Sequence, residues 1–205
     1  MSSKETQASI ASYVTDMLAL EEHIQKALMG QIEDAKDDLM LQDSLRTTER
    51  MCEAHIATLS ALAERREMTG QGLSTSVKKA AASVLGLGAA AIDMVRTQSV
   101  PKNLRDDYTA LSLACIGYVM LHTVGKSLSD EEVARIALQH LEEHAKCVMT
   151  FHNVIPVAVV QQLQADGLPA SASVLEEIGE TIQRVWRSES GVPQTGDVAA
   201  HRVHA

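Results

Sequence analysis

Apolar residues recur at seven-residue spacing through most of this chain, and that period restricts it to packed helices. Ile10, Met17 and Ile24 stand seven apart and Gln31 continues their row. Tyr13, Leu20 and Ala27 run beside them, and Val14, Glu21 and Leu28 form a third row. Further on come Leu45, Cys52 and Leu59, then Thr48, His55 and Leu62, then Glu49, Ile56 and Ala63. Asp107, Ala114, Leu121 and Leu128 make one late row, and Tyr108, Cys115 and His122 the next. Rows at sevens suit antiparallel helix packing. No segment alternates apolar and polar residues convincingly, so strands are not expected. Aromatics are only 2% of the chain, which leaves Ala, Leu, Val, Ile and Met to fill the core and again favours helices. The expected fold class is all-α: a four-helix bundle with additional short helices.

Capping and breaking residues set the expected boundaries. Ser2 and Glu5 make a capping box for a first helix running to about Asp37. Asp43 is the expected N-cap of a second, which ends before the loop signal Gly70-Gln-Gly72. An Ala/Gly-rich segment follows over 75–96, its small residues suited to close helix approach. Pro101 and Asn103 open the next helix, whose centre from Ala110 to Leu121 is apolar on nearly every side and reads as the buried helix. Ser129 and Glu132 form another capping box, and Pro156 should kink or break the helix that follows after about His152. A last amphipathic helix is expected over 171–187, with Val174, Ile178, Ile182 and Val185 on one side. This gives one domain over 1–187 and a disordered tail over 188–205, in keeping with a length of 205 residues.

Charge and cysteine usage narrow the function classes. A net charge of −9 opposes binding to phosphate backbones and to anionic lipid, so neither nucleic acid nor a membrane surface is an expected partner. The three cysteines are scattered, which does not suggest a disulfide framework. The opening residues carry no apolar signal segment, and the apolar run at 110–124 is short for a membrane span. A reducing cytoplasm is the expected location.

The informative residues are polar groups placed on apolar stripes. His140, His144 and Cys147 stand at i, i+4 and i+7 on a stripe shared with Val133, Ala137 and Phe151. Glu143 adds a carboxylate on the same helix, and Glu21, Glu49, His55, Asp106 and Asp107 add carboxylates and imidazole on other helices. An unpaired buried carboxylate costs several kcal/mol, so such groups pair, protonate or bind a cation. Carboxylates with imidazole are the donor set of iron and manganese sites in helical bundles. Each residue also has a structural reading. Glu49 can pair with Arg46 or Arg50, Asp106 and Asp107 sit in a first helical turn where acids favour the macrodipole, and the histidines can be satisfied at the edge of a core. Cys52, Cys115 and Cys147 read most simply as small core residues.

Three stretches carry a family resemblance. Tyr13-Val-Thr-Asp-Met-Leu-Ala-Leu-Glu21, Asp106-Asp107-Tyr108 and Leu141-Glu142-Glu143-His144 together resemble the ferritin-like superfamily, and within it the YciF-like bacterial stress-associated proteins. The likeness spans roughly residues 8–155. It implies a ferritin-like bundle with one long connection and a metal centre, most readily iron, in a stress or iron/redox setting. The expected ligands are Glu21, Glu49, His55, Asp106, Asp107, His140, Glu143 and His144, with iron or manganese as the cofactor. The second helix offers Glu49-x-x-Cys52 where that superfamily has Glu-x-x-His, and Asp106 is shorter than the family's Glu. A di-metal site, a one-metal site and an empty bundle all stay open on that pattern. The competing reading is a metal-free bundle that acts by association, with a homodimer as the expected assembly. A small-ligand pocket lined by Tyr108, His122 and His144 is a third.

Overall fold

The computed structural model describes residues 3–35, 38–68 and 99–189. Among them are five α-helices and no strand, as the seven-residue rows require: α1 Ser3–Asp34, α2 Leu39–Arg65, α3 Val100–Ser127, α4 Glu131–Ala165 and α5 Leu175–Glu189. A 3-10 turn, Ala172–Val174, leads into α5. The first four helices share one core, with α1 against α2 and α3, and α4 against α3 and α2.

Side-chain partners give the directions. Glu21 meets Tyr118 while Gln31 meets Asp107, so α1 and α3 are antiparallel. His55 meets Glu143 while Arg66 meets Asp130, so α2 and α4 are antiparallel as well. Hence α1 and α4 run one way, and α2 and α3 the other. The end of α2 and the start of α3 lie at opposite ends of the core.

Each of these four helices buries one row at alternating spacings of three and four. On α1 the row is Val14, Met17, Glu21, Ile24 and Leu28; on α2 it is Leu45, Thr48, Cys52, His55, Leu59 and Leu62. On α3 it runs Leu104, Asp107, Leu111, Ala114, Tyr118, Leu121 and Gly125, and on α4 Val133, Ala137, His140, His144, Cys147, Phe151, Val154 and Ala158. This is the coiled-coil-like seam of a bundle. Leu is the commonest residue in it, and burial of each large apolar side chain contributes about 1.5–3 kcal/mol. Where α3 turns into α4, a Cβ on Gly125 would lie 2.6 Å from the Ala134 backbone nitrogen, so only glycine lets the helices meet there. His122 donates from Nδ1 to the Ala134 carbonyl at 2.7 Å and ties the same corner.

Several boundaries differ from the sequence reading. α2 begins four residues before Asp43, because Asp38 adopts extended backbone and its carboxylate accepts from the Leu41 N–H at 3.0 Å. Asp130 caps α4 and accepts from Val133, while Ser129 sits outside the helix in left-handed backbone at φ 58°. Pro156 does not break α4, which runs through it to Ala165. Proline removes one N–H, but Val154, Ala158 and Val160 on either side are buried, and that packing holds the segment helical.

α3 is not buried on every side. Leu113, Ile116, Val119 and Met120 form an exposed apolar strip opposite its inner row. By length and composition α3 could cross a membrane, the only helix among the described residues that could. The apolar side of α5 is also largely open, with Ile178, Val185 and Trp186 exposed beside Val174 of the preceding 3-10 turn, and α5 meets α4 where Trp186 Nε1 donates to His152 at 3.1 Å. The capping residue Ser2, the loop 70–72, the segment 75–96 and the tail beyond Glu189 lie outside the described residues.

Candidate metal centre

Midway along the four inner rows, the apolar layers give way to a polar one. α1 supplies Glu21, α2 His55, α3 Tyr118, and α4 both His140 and His144. All five are within 2% of complete burial. They meet because each falls on the three-four spacing of its own helix, so the packing that builds the core also brings these polar groups together.

Glu21 is the hub. Its Oε1 lies 2.9 Å from His55 Nδ1, 2.7 Å from His144 Nε2 and 2.6 Å from the Tyr118 hydroxyl, which donates to it. Its other oxygen, Oε2, is buried with no hydrogen-bond partner, as is His144 Nδ1. Burial alone would raise the Glu21 carboxyl. The hydrogen bonds and positive potential of His144 and His55 outweigh it and hold the group ionised, well below the usual carboxylate range.

The surrounding groups fix this hub. His55 Nε2 lies 2.7 Å from Glu143 Oε2, and Gln139 donates to the other Glu143 oxygen at 3.1 Å. His55 loses affinity for protons through burial, but the two carboxylates more than restore it, so its proton is held more tightly than in water. His140 stacks on the His55 ring, with centroids 3.7 Å apart and planes 13° from parallel, and its Nδ1 lies 3.0 Å from the Tyr118 oxygen. Burial and the nearby His55 push His140 down to about 3, so it is neutral at ordinary pH. Burial and the Glu21 charge push the Tyr118 hydroxyl and the Cys52 thiol up, so both keep their protons.

One carboxylate and two imidazoles, from Glu21, His55 and His144, offer ligand atoms that all lie within 4.8 Å of one another. Bonds of about 2.0–2.2 Å from each to a common ion need only a small outward adjustment of these side chains. The partnerless Glu21 Oε2 fits a carboxylate that still has an acceptor to offer. The donors are oxygen and nitrogen, and the neighbouring cysteine remains a thiol, so the set suits Fe(II), Mn(II) or Zn(II) more than a soft ion.

The other sequence candidates go elsewhere. Glu49 lies half-buried on α2 and accepts from Gln25 at 2.9 Å, not from Arg46 or Arg50. Asp106 pairs with its neighbour Arg105 near the surface at 2.7 Å. Asp107 is buried, but it points at Gln31, whose Nε2 donates to its Oδ1 at 2.8 Å. Glu143 and His140 flank the hub through His55 and Tyr118. Tyr118 was not among the sequence candidates. Its signal was available, since it continues the Leu111–Ala114 spacing, but a tyrosine inside an apolar run reads as core. Tyr108 and His122 do not join His144: Tyr108 packs edge-on to His152, and His122 binds backbone.

Comparison with protein families, with curated proteins and with solved structures finds no match.

Proposed function

We propose that this chain binds a single transition-metal ion, iron in the first instance, through Glu21, His55 and His144. The observation that carries the reading is Glu21 itself, a fully buried carboxylate with three donors converging on one oxygen and none on the other. A set of two histidines and one carboxylate leaves coordination positions open and is the donor pattern of mononuclear non-haem Fe(II). Bound there, the ion would supply redox or Lewis-acid chemistry. The chain's own part is to hold the donors in place and exclude water. Every ligand side chain is buried, so a small molecule such as dioxygen or peroxide is the size of reactant that fits the reading.

A ferritin-like architecture is the fold reading that goes with it. Support comes from the antiparallel pairs α1/α3 and α2/α4, from the crossing required between the end of α2 and the start of α3, and from a polar layer halfway along the bundle. The centre departs from the two-metal pattern of that superfamily, because Glu49, Asp106 and Asp107 all have other partners. A stress or iron/redox role follows only from the sequence resemblance, and a cytoplasmic setting from the cysteine usage; both are proposed with it.

The test is metal analysis of the chain after anaerobic reconstitution with Fe(II) and desalting. About one iron per chain is expected in the wild type and none in His144→Ala. Sub-stoichiometric metal in the reconstituted wild type would sink the proposal. A second reading, association between copies, is favoured by the exposed strip Leu113, Ile116, Val119 and Met120. Light scattering decides it: a dimer that persists on dilution supports the reading, and a monomer at all concentrations removes it.

A further inference from the structure

We infer that Glu143 is a positioning residue that selects which nitrogen of His55 faces the metal, and is not itself a ligand. The inference rests on the proposed metal site and specifies how one of its ligands is set.

His55 uses both edges of its ring. Nδ1 points at Glu21 Oε1, and Nε2 points the other way, at Glu143 Oε2. A ring nitrogen that binds a cation presents its lone pair, and the proton then resides on the other nitrogen. A carboxylate can only accept, so Glu143 requires Nε2 to carry the hydrogen. Nδ1 faces the Glu21 carboxylate, so in the metal-free chain both ring nitrogens carry hydrogen; a cation beside Glu21 displaces the one on Nδ1, and Glu143 keeps the one on Nε2. The imidazole stands between Glu143 and the point where the other donors converge, so Glu143 and His55 Nδ1 do not address the same ion.

The rest of the local structure supports a fixed orientation. Gln139, one turn earlier on α4, holds the second Glu143 oxygen. The His140 ring covers a face of His55 and sets its plane. Glu143 follows Glu142 on α4 and immediately precedes His144, so α4 delivers one ligand and the group that orients another from adjacent residues. His144 has no comparable carboxylate, since its Nδ1 is buried without a partner. The two histidines are therefore unequal, and removing Glu143 acts on one of them. The Glu143 side chain is about one-third exposed. Its substitution leaves the apolar layers intact.

The experiment titrates the metal-free full chain with Co(II), whose visible bands report binding, and compares Glu143→Ala and Glu143→Gln. Wild type is expected to bind one equivalent. Glu143→Ala should keep that stoichiometry with affinity weakened about 10- to 100-fold, the usual effect of removing an outer carboxylate. Glu143→Gln, whose amide oxygen still accepts, should recover much of the loss. In the Zn(II)-loaded protein the ring N–H proton of His55 should give a slowly exchanging downfield resonance in wild type and Glu143→Gln, absent in Glu143→Ala. Loss of all Co(II) binding in Glu143→Ala, with its helicity retained, would make Glu143 a ligand and overturn the inference. An unchanged affinity in that variant would overturn it too. A wild type that takes up no Co(II) defeats the metal reading itself, and this inference with it.

Discussion

Among the described residues two carboxylates are buried, and the protein treats them in opposite ways. Glu21, at the middle of α1, is surrounded by His55, His144 and Tyr118 and is held ionised. Asp107, at the start of the third turn of α3, is equally enclosed but meets one neutral donor, Gln31, and burial pushes it up to about 7. A charge taken out of water must be paired, or the group gives up the charge. The Glu21 layer follows the first course and the Asp107 layer the second. Only a carboxylate that stays ionised, beside nitrogen donors able to give up protons, is prepared for a metal ion. The difference lies in the neighbours, not in the depth of burial.

The largest expected effect comes from removing the paired carboxylate. Glu21→Ala strips one of the two counter-charges from His55 and removes the acceptor that His55, His144 and Tyr118 share. Breaking such a buried pair costs about 3–5 kcal/mol, so the urea midpoint at pH 7 should fall by an amount that consumes much of a typical domain's stability. A variant that unfolds at the wild-type midpoint would show that the histidines are not held by Glu21.

The opposite sign is expected at the other carboxylate. The folded-state value of Asp107, about 7, lies above the ordinary 3.8, so the unfolded chain releases its proton first as pH rises. Folding stability at this site is therefore intact below about pH 4, is lost progressively between pH 4 and 7, and is lowest above that. The gap corresponds to an upper bound of about 4 kcal/mol at ~1.4 kcal/mol per pH unit. Asp107→Asn cannot ionise and should stabilise the protein at pH 8, by about 2–3 kcal/mol after allowing for an altered bond to Gln31. The gain should vanish at pH 4. Urea unfolding at the two pH values measures it, and a variant that is less stable at pH 8 would mean Asp107 is ionised and paired after all.

The same contrast explains what was readable in the sequence. The helices were legible because the three-four spacing of Leu, Ala and Ile is local information. So was the presence of inward polar residues: Glu21, His55, His140 and His144 lie on those rows and meet. What the rows cannot give is the partner across the bundle, since that depends on how far each helix slides along its neighbour. Asp107 sits on an inner row as Glu21 does, yet it falls about three turns from the polar layer and meets Gln31. Glu49 was one residue out of place: its row flanks the core row of Thr48 and Cys52, so its carboxylate turns toward Gln25. Pro156 misled for a different reason. A broken hydrogen bond is a local cost, and the buried side chains on either side of it are not visible at that position.

The smallest expected effect tests that placement of Glu49. Its carboxylate accepts one neutral hydrogen bond, from Gln25, in a half-buried position between α1 and α2. Such a bond contributes about 0.5–1.5 kcal/mol net, and the partner amide can turn to water when it is lost. Glu49→Ala should therefore lower stability by no more than about 1 kcal/mol and leave metal stoichiometry and affinity at wild-type values. Gln25 stands one turn from Glu21, so Glu49 needs only a modest shift along α2 to reach the ion if two metals were to bridge between the helices. A variant that halves the metal content, from two ions to one, would put Glu49 in the site and restore the two-metal arrangement. An unchanged single equivalent in Glu49→Ala, beside none in His144→Ala, keeps Glu49 outside a one-metal site and His144 within it.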